Sequence, residues 1–90
     1  MNRIFKRVVV ANELGLHARA AAIISKIAQT AASRVWITKD GETVDASSIM
    51  DILTLACEKD SEIILEIDDP SDKHVLADIE RMIECRFGEE

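Results

Sequence analysis

Arg3 to Ala11 is a continuous Ile, Phe and Val-rich run without helical period, and Arg34 to Thr38 alternates Val35 and Ile37 against Arg34, Trp36 and Thr38. Both patterns predict strands, because side chains alternate across a pleated strand. Lys39-Asp40-Gly41-Glu42 carries the Asp-Gly pair that suits a tight hairpin turn, so Glu42 to Ala46 is expected to return antiparallel to the second strand. A fourth strand is expected over Glu62 to Asp68. There Ile63, Leu65 and Ile67 share one face and Ile64, Glu66 and Asp68 the other, as in a sheet covered on one side only.

Three helical patterns lie between and after these strands. The first runs from about Ala18 to Ala31, with Ala20, Ile24, Ile27 and Ala31 on one stripe and Lys26 and Gln29 facing away. The second follows the cap candidates Ser47-Ser48 and carries Ile49, Ile52, Leu53 and Ala56. The third follows Asp69-Pro70, a cap and first-turn pair, with Val75, Ile79, Met82 and Ile83 inward. The element order β-α-β-β-α-β-α predicts an α+β chain. No linker or repeat divides it, so residues 1–90 are expected to form one domain.

Composition narrows the function classes. A net charge of -6, one Trp, two Phe and no Tyr argue against nucleic-acid binding, which needs a basic face and usually stacking aromatics. The apolar run Val8 to Ala11 is too short for a signal-peptide core, and no segment reaches membrane-spanning length, so a cytoplasmic protein without membrane insertion is expected. In that reducing compartment Cys57 and Cys85 are expected to be buried thiols and not a disulfide. With two His they lack the short spacing that puts two metal ligands on one turn, so neither metal nor cofactor is expected.

The chemistry concentrates in Gly15-Leu16-His17-Ala18-Arg19-Ala20. His17 stands where a strand-like run ends and an alanine-rich helix begins. Unpaired N–H groups and the positive end of the helix dipole favour an anion there, so a phosphoryl group is the species most suited to transfer onto His17. Arg19, two positions into the first turn, offers a fork of donors matched to phosphate oxygens. His74 sits among charges in the third helix and reads as an exposed side chain.

This constellation resembles the active site of the HPr family, the histidine-containing phosphocarriers of the bacterial phosphotransferase system. The family motif runs Gly, aliphatic, His, small, Arg and usually Pro; five of six positions match, with Ala20 at the proline position. The second motif Ser48-Ile49-Met50 and the closing Phe87-Gly88-Glu89 also fall where the family has them. The resemblance implies an open-faced sandwich, a four-stranded antiparallel sheet with three helices on one face. It implies that His17 takes the phosphoryl group on Nδ1, held by Arg19 and the backbone N–H groups of Ala18 and Ala20. The donor would be enzyme I, charged by phosphoenolpyruvate, and the acceptors enzyme IIA domains; the chain would be a monomeric carrier and not an independent catalyst.

The same resemblance places Ser48 at the position of a serine that a dedicated kinase modifies in many relatives. The plain reading of Ser48 is a helix N-cap, and Ser47 and Asp51 depart from the usual neighbours. Ile49, Met50 and Leu53 align with the apolar docking patch of the family and Lys26 with a basic docking position, whereas Gln29, Ser47 and Asp51 fall where basic residues are common. Steering towards acidic partners is therefore expected to be weaker. The alternative reading is a regulatory HPr-like binding module, for example in the nitrogen-linked branch, which controls another protein according to its phosphorylation state.

Overall fold

A computed structural model describes residues 3–89. Its elements are β1 (Ile4–Val9), α1 (Ala18–Ala28), β2 (Val35–Lys39), β3 (Glu42–Asp45), α2 (Ile49–Thr54), β4 (Glu62–Ile67) and α3 (Lys73–Glu84), with single 3-10 turns at Pro70–Asp72 and Arg86–Gly88. The strands form one sheet in the order β1-β4-β2-β3, every neighbouring pair antiparallel. β1 and β2 are therefore parallel with β4 between them, and β3 and β4 are parallel with β2 between them. A helix connects each parallel pair, so two β-α-β units interlock in one sheet. This is the α+β open-faced sandwich.

Alternation decides which side is covered. Val8, Ile63, Leu65, Ile67, Val35 and Ile37 turn inward and are buried, while Phe5 and Val9 on the other face of β1 stay exposed. Against the inner face lie Ile24 of α1, Ile52 of α2, and Val75, Ile79 and Ile83 of α3, all with essentially no exposure. Within a close-packed layer of this kind each large aliphatic side chain contributes about 1.5–3 kcal/mol.

Three expectations are corrected. The buried stripe of α1 is Ala20, Ala21, Ile24, Ser25 and Ala28, whereas Ile27 is only half-buried and Ala31 lies beyond the helix. The helix tightens at its end, Thr30 N donating to Ile27 O at 3.0 Å and Ala31 N to Ala28 O at 3.1 Å, and buried Asp72 then holds the chain by accepting from Ala32 N (2.8 Å) and Ser33 N (3.0 Å). The third helix begins at Lys73, not directly after Asp69-Pro70. Asp69 caps a 3-10 turn by accepting from Ser71 N at 2.9 Å, and Asp72 leaves helical geometry to reach those amides. Finally, Cys57 is buried but Cys85 is exposed, and both thiols are free.

Candidate functional site

The loop between β1 and α1 is built to fix one residue. Val10 N donates to Ser61 O at 2.9 Å, Val10 O accepts from Asp60 N at 2.8 Å, and Leu16 N donates to Cys57 O at 2.8 Å. Inside these anchors Asn12 closes a turn twice over. Its carbonyl accepts from Gly15 N at 3.1 Å and its Nδ2 donates to Gly15 O at 2.7 Å. Gly15 has φ +65°, and a Cβ there would collide with the carbonyl oxygen of Cys57. Only glycine meets both demands, which explains the residue two places before the histidine.

His17 follows as the N-cap of α1, extended at φ -73° and ψ -178°, and its side chain makes no cap bond. The first helical bond runs from Ala21 N to His17 O at 2.8 Å. Among the described residues the N–H groups of Ala18, Arg19 and Ala20 have no acceptor. Ala18 and Arg19 are exposed, whereas Ala20 has no exposed surface.

Both nitrogens of the His17 ring are engaged. Nδ1 lies 3.0 Å from Gly15 O, an oxygen that only accepts, so this contact needs hydrogen on Nδ1. Nε2 lies 3.5 Å from Glu89 Oε2, and the same oxygen accepts from Asn12 Nδ2 at 3.1 Å. Asn12 is wholly buried and its Oδ1 has no partner. Glu89 arrives through the turn Arg86–Gly88, where buried Phe87 anchors the chain and three consecutive residues have positive φ.

Neither Asn12 nor Glu89 is assigned a role from the sequence. Their contact spans 77 positions, and no local pattern announces it. Arg19, expected beside the same anion, makes no ion pair among the described residues; a Cβ added at Gly88 would lie 3.9 Å from its guanidinium.

A family profile described as "PTS HPr component phosphorylation site" matches residues 4–85. The chain belongs to the HPr family. The phosphocarrier protein HPr of Cupriavidus necator is 39% identical over 80 residues, covering 89% of this chain and 90% of that protein. HPr of Treponema pallidum is 36% identical over 87 residues, covering 97% and 99%. The crystal structure of HPr-C-His from Thermoanaerobacter tengcongensis superposes with a TM-score of 0.86 at 33% identity, covering 100% of this chain and 99% of that one. Membership places the chain among the phosphocarriers of the phosphotransferase system.

The remaining positions named from the HPr resemblance lie along α1 and α2. These helices run antiparallel: at one end Ser25 Oγ donates to Ser47 O at 2.7 Å, and at the other Cys57 meets Leu16. Ser48 thus lies near Ser25, about 12 Å along α1 from His17. Ser48 Oγ caps α2 by accepting from Asp51 N at 3.2 Å. Ile49 and Met50 are exposed, Met50 at 71%, and Lys26 is exposed on α1. Leu53 is partly buried and packs against the core with the rest of its surface open. Leu14, which drew no notice in the sequence, is 66% exposed and lines a cleft with Leu16, His17 and Lys59. On its rim Lys59 donates to Glu13 at 2.7 Å, and that bond and charge hold the Glu13 carboxyl below its usual range.

No helix among the described residues is long and apolar enough to cross a membrane. Among the same residues no group of three or more His, Cys, Asp or Glu is placed to hold a metal ion.

Proposed function

We propose that His17 is the phosphoryl acceptor of this phosphocarrier, charged by enzyme I from phosphoenolpyruvate and discharged to enzyme IIA domains in sugar uptake or its regulation. The observation that carries this reading is His17 at the N-cap of α1 with the amides of Ala18 and Arg19 open beside it. An imidazole nitrogen is nucleophilic when neutral and a good leaving group when phosphorylated, which suits a relay. The two amides and the helix dipole stabilise the added negative charge, and Arg19 swings from its place beside Gly88 to join them.

Transfer forms a bond from the Nδ1 lone pair to phosphorus and breaks the bond from phosphorus to the donor atom, which keeps its electron pair. Nδ1 must first leave Gly15 O and lose the hydrogen that this contact needs, solvent taking that proton while Nε2 gains one, so acceptance includes a turn of the ring and a change of tautomer. The carrier works as a cytoplasmic monomer and docks its partners through Ile49, Met50 and Lys26, with Leu14 extending the apolar surface beside His17. Phosphate on Ser48, placed by a serine kinase, acts on that docking.

Incubation with phosphoenolpyruvate and enzyme I, followed by intact-mass measurement and site mapping, should add one phosphoryl group at His17. His17→Ala should keep its circular dichroism and thermal midpoint and lose the label. Full labelling of that variant would refute the assignment.

A further inference from the structure

We propose that Lys39 is a positioning residue for the His17 site: its ammonium clamps the carbonyls that end α2 and so fixes the segment against which Gly15 and Leu16 are seated. The inference rests on His17 as the phosphoryl acceptor and names a residue, outside the motif and outside both helices of the site, that holds it in place.

The last turn of α2 carries no cation of its own. The final carbonyls of a helix bear its negative partial charge and lack intrahelical partners, so they call for a donor from elsewhere. The chain leaves α2 by tightening, Leu55 N donating to Ile52 O and Ala56 N to Leu53 O, both at 3.1 Å. Among the described residues no backbone N–H reaches Leu55 O or Ala56 O. Lys39 Nζ supplies both, at 3.1 Å and 3.0 Å. Bonds from an ionised donor are the stronger kind. The sheet delivers that donor: Lys39 ends β2 opposite Glu42, and the Asp40-Gly41 turn, with positive φ at both residues, sets the register.

Ala56 shows what the clamp restrains. Its φ is +51°, in the left-handed region that a residue with a Cβ seldom adopts, and such a state persists only where its surroundings enforce it. An ammonium bonded to its own carbonyl and to the preceding one does so. The next residue meets the site. Cys57 O accepts from Leu16 N at 2.8 Å and lies where a Cβ on Gly15 would collide. Ala56 and Cys57 line the same cleft as His17. The charge of Lys39 reaches this point as well, since burial pushes the Cys57 thiol up and Lys39 opposes that push. Without the clamp Ala56 relaxes towards negative φ, the peptide after it rotates, and Cys57 O withdraws from Leu16 N. His17, the next residue along, moves with Leu16.

Amide hydrogen exchange and transfer kinetics on the wild type, Lys39→Met, Lys39→Gln and Lys39→Arg test the role. Lys39→Met keeps an unbranched side chain but neither charge nor donors. It should speed exchange of the Leu16 amide about tenfold relative to the core amides of β4, the factor of one lost charge-assisted bond. Phosphorylation by enzyme I should lose about three- to tenfold in kcat through misplacement of His17. KM should change little, because exposed Ile49 and Met50 lie at the other end of α2. Lys39→Arg should restore both readouts, and Lys39→Gln, which keeps donors without charge, should fall between and carries the test if Lys39→Met does not fold. A lower thermal midpoint with relative Leu16 exchange and kcat unchanged would make Lys39 a stabilising residue only and overturn the inference. A loss of kcat that Lys39→Arg fails to recover would overturn it too. The exchange is read without enzyme I, so it tests the clamp separately: a phosphoryl label that maps elsewhere than His17 refutes the acceptor assignment and with it the bearing of Lys39 on transfer, whatever the Leu16 amide does.

Discussion

At the scale of single residues, the site depends on one glycine as much as on its histidine. Gly15 holds φ +65° with its α-carbon against the Cys57 carbonyl, so Gly15→Ala must both strain the backbone and displace that strand of the loop. The two effects together should cost about 2–4 kcal/mol. Chemical denaturation should show the loss, and the backbone resonances of residues 12–17 should move most. An unchanged denaturation midpoint would mean that the loop adapts and that Gly15 does not fix His17. The glycine was legible as a device for an unusual backbone path, since it stands two places before the histidine. What it avoids, a carbonyl more than forty positions away, was not.

At the scale of elements, α2 is short and its start governs two properties. Ser48 caps it, and Asp at an N-cap is about as good as Ser and adds charge at the favourable end of the helix. Ser48→Asp should therefore keep or slightly raise the thermal midpoint while slowing transfer from enzyme I through KM, since Ser48 lies well away from the ring along α1. Equal KM values would remove this end of α2 from the docking surface.

The turn before α2 also carries a titrating anchor. Asp45 Oδ1 accepts from Ser47 Oγ at 2.7 Å and Ser47 N at 2.8 Å, and those bonds, helped by Arg34, hold its carboxyl below the ordinary value of 3.8. A carboxyl depressed in the folded state stabilises the fold above its unfolded value and loses that contribution as pH falls through the folded value. Ser47→Ala should cost about 1 kcal/mol at neutral pH, and its thermal-midpoint gap from wild type should narrow on acidification below 3.8. A gap independent of pH would show that the hydroxyl acts without the charge.

At the scale of the whole molecule, the two thiols report on how the fold opens. Cys57 is buried beneath the loop that carries His17, and burial pushes its thiol up; Cys85 is exposed after α3. Under native conditions an alkylating reagent should add once, at Cys85, within the time that leaves Cys57 almost unmodified. Cys57 should react only through opening of the segment that pins Leu16, so its rate should fall as the protein is stabilised. Equal rates at both positions would mean that the loop around His17 opens freely in the native state.

Most of the architecture was legible because it rests on local rules. Period-two alternation marked Ile63, Leu65 and Ile67, the Asp40-Gly41 pair marked the hairpin, and Ser48 marked the start of α2. His17 and Arg19 could be read as a pair because both lie within one helical turn of a predicted start. Tertiary structure decided what depends on contacts between distant segments. Asp72 holds the chain that follows α1 by taking the amides of Ala32 and Ser33, and α1 buries Ala20 in the core. It also brought Asn12 and His17 to one carboxylate oxygen of Glu89. A sequence pattern records which face a residue prefers, whereas the partner across 77 positions is set only when the sheet and helices close around the same core.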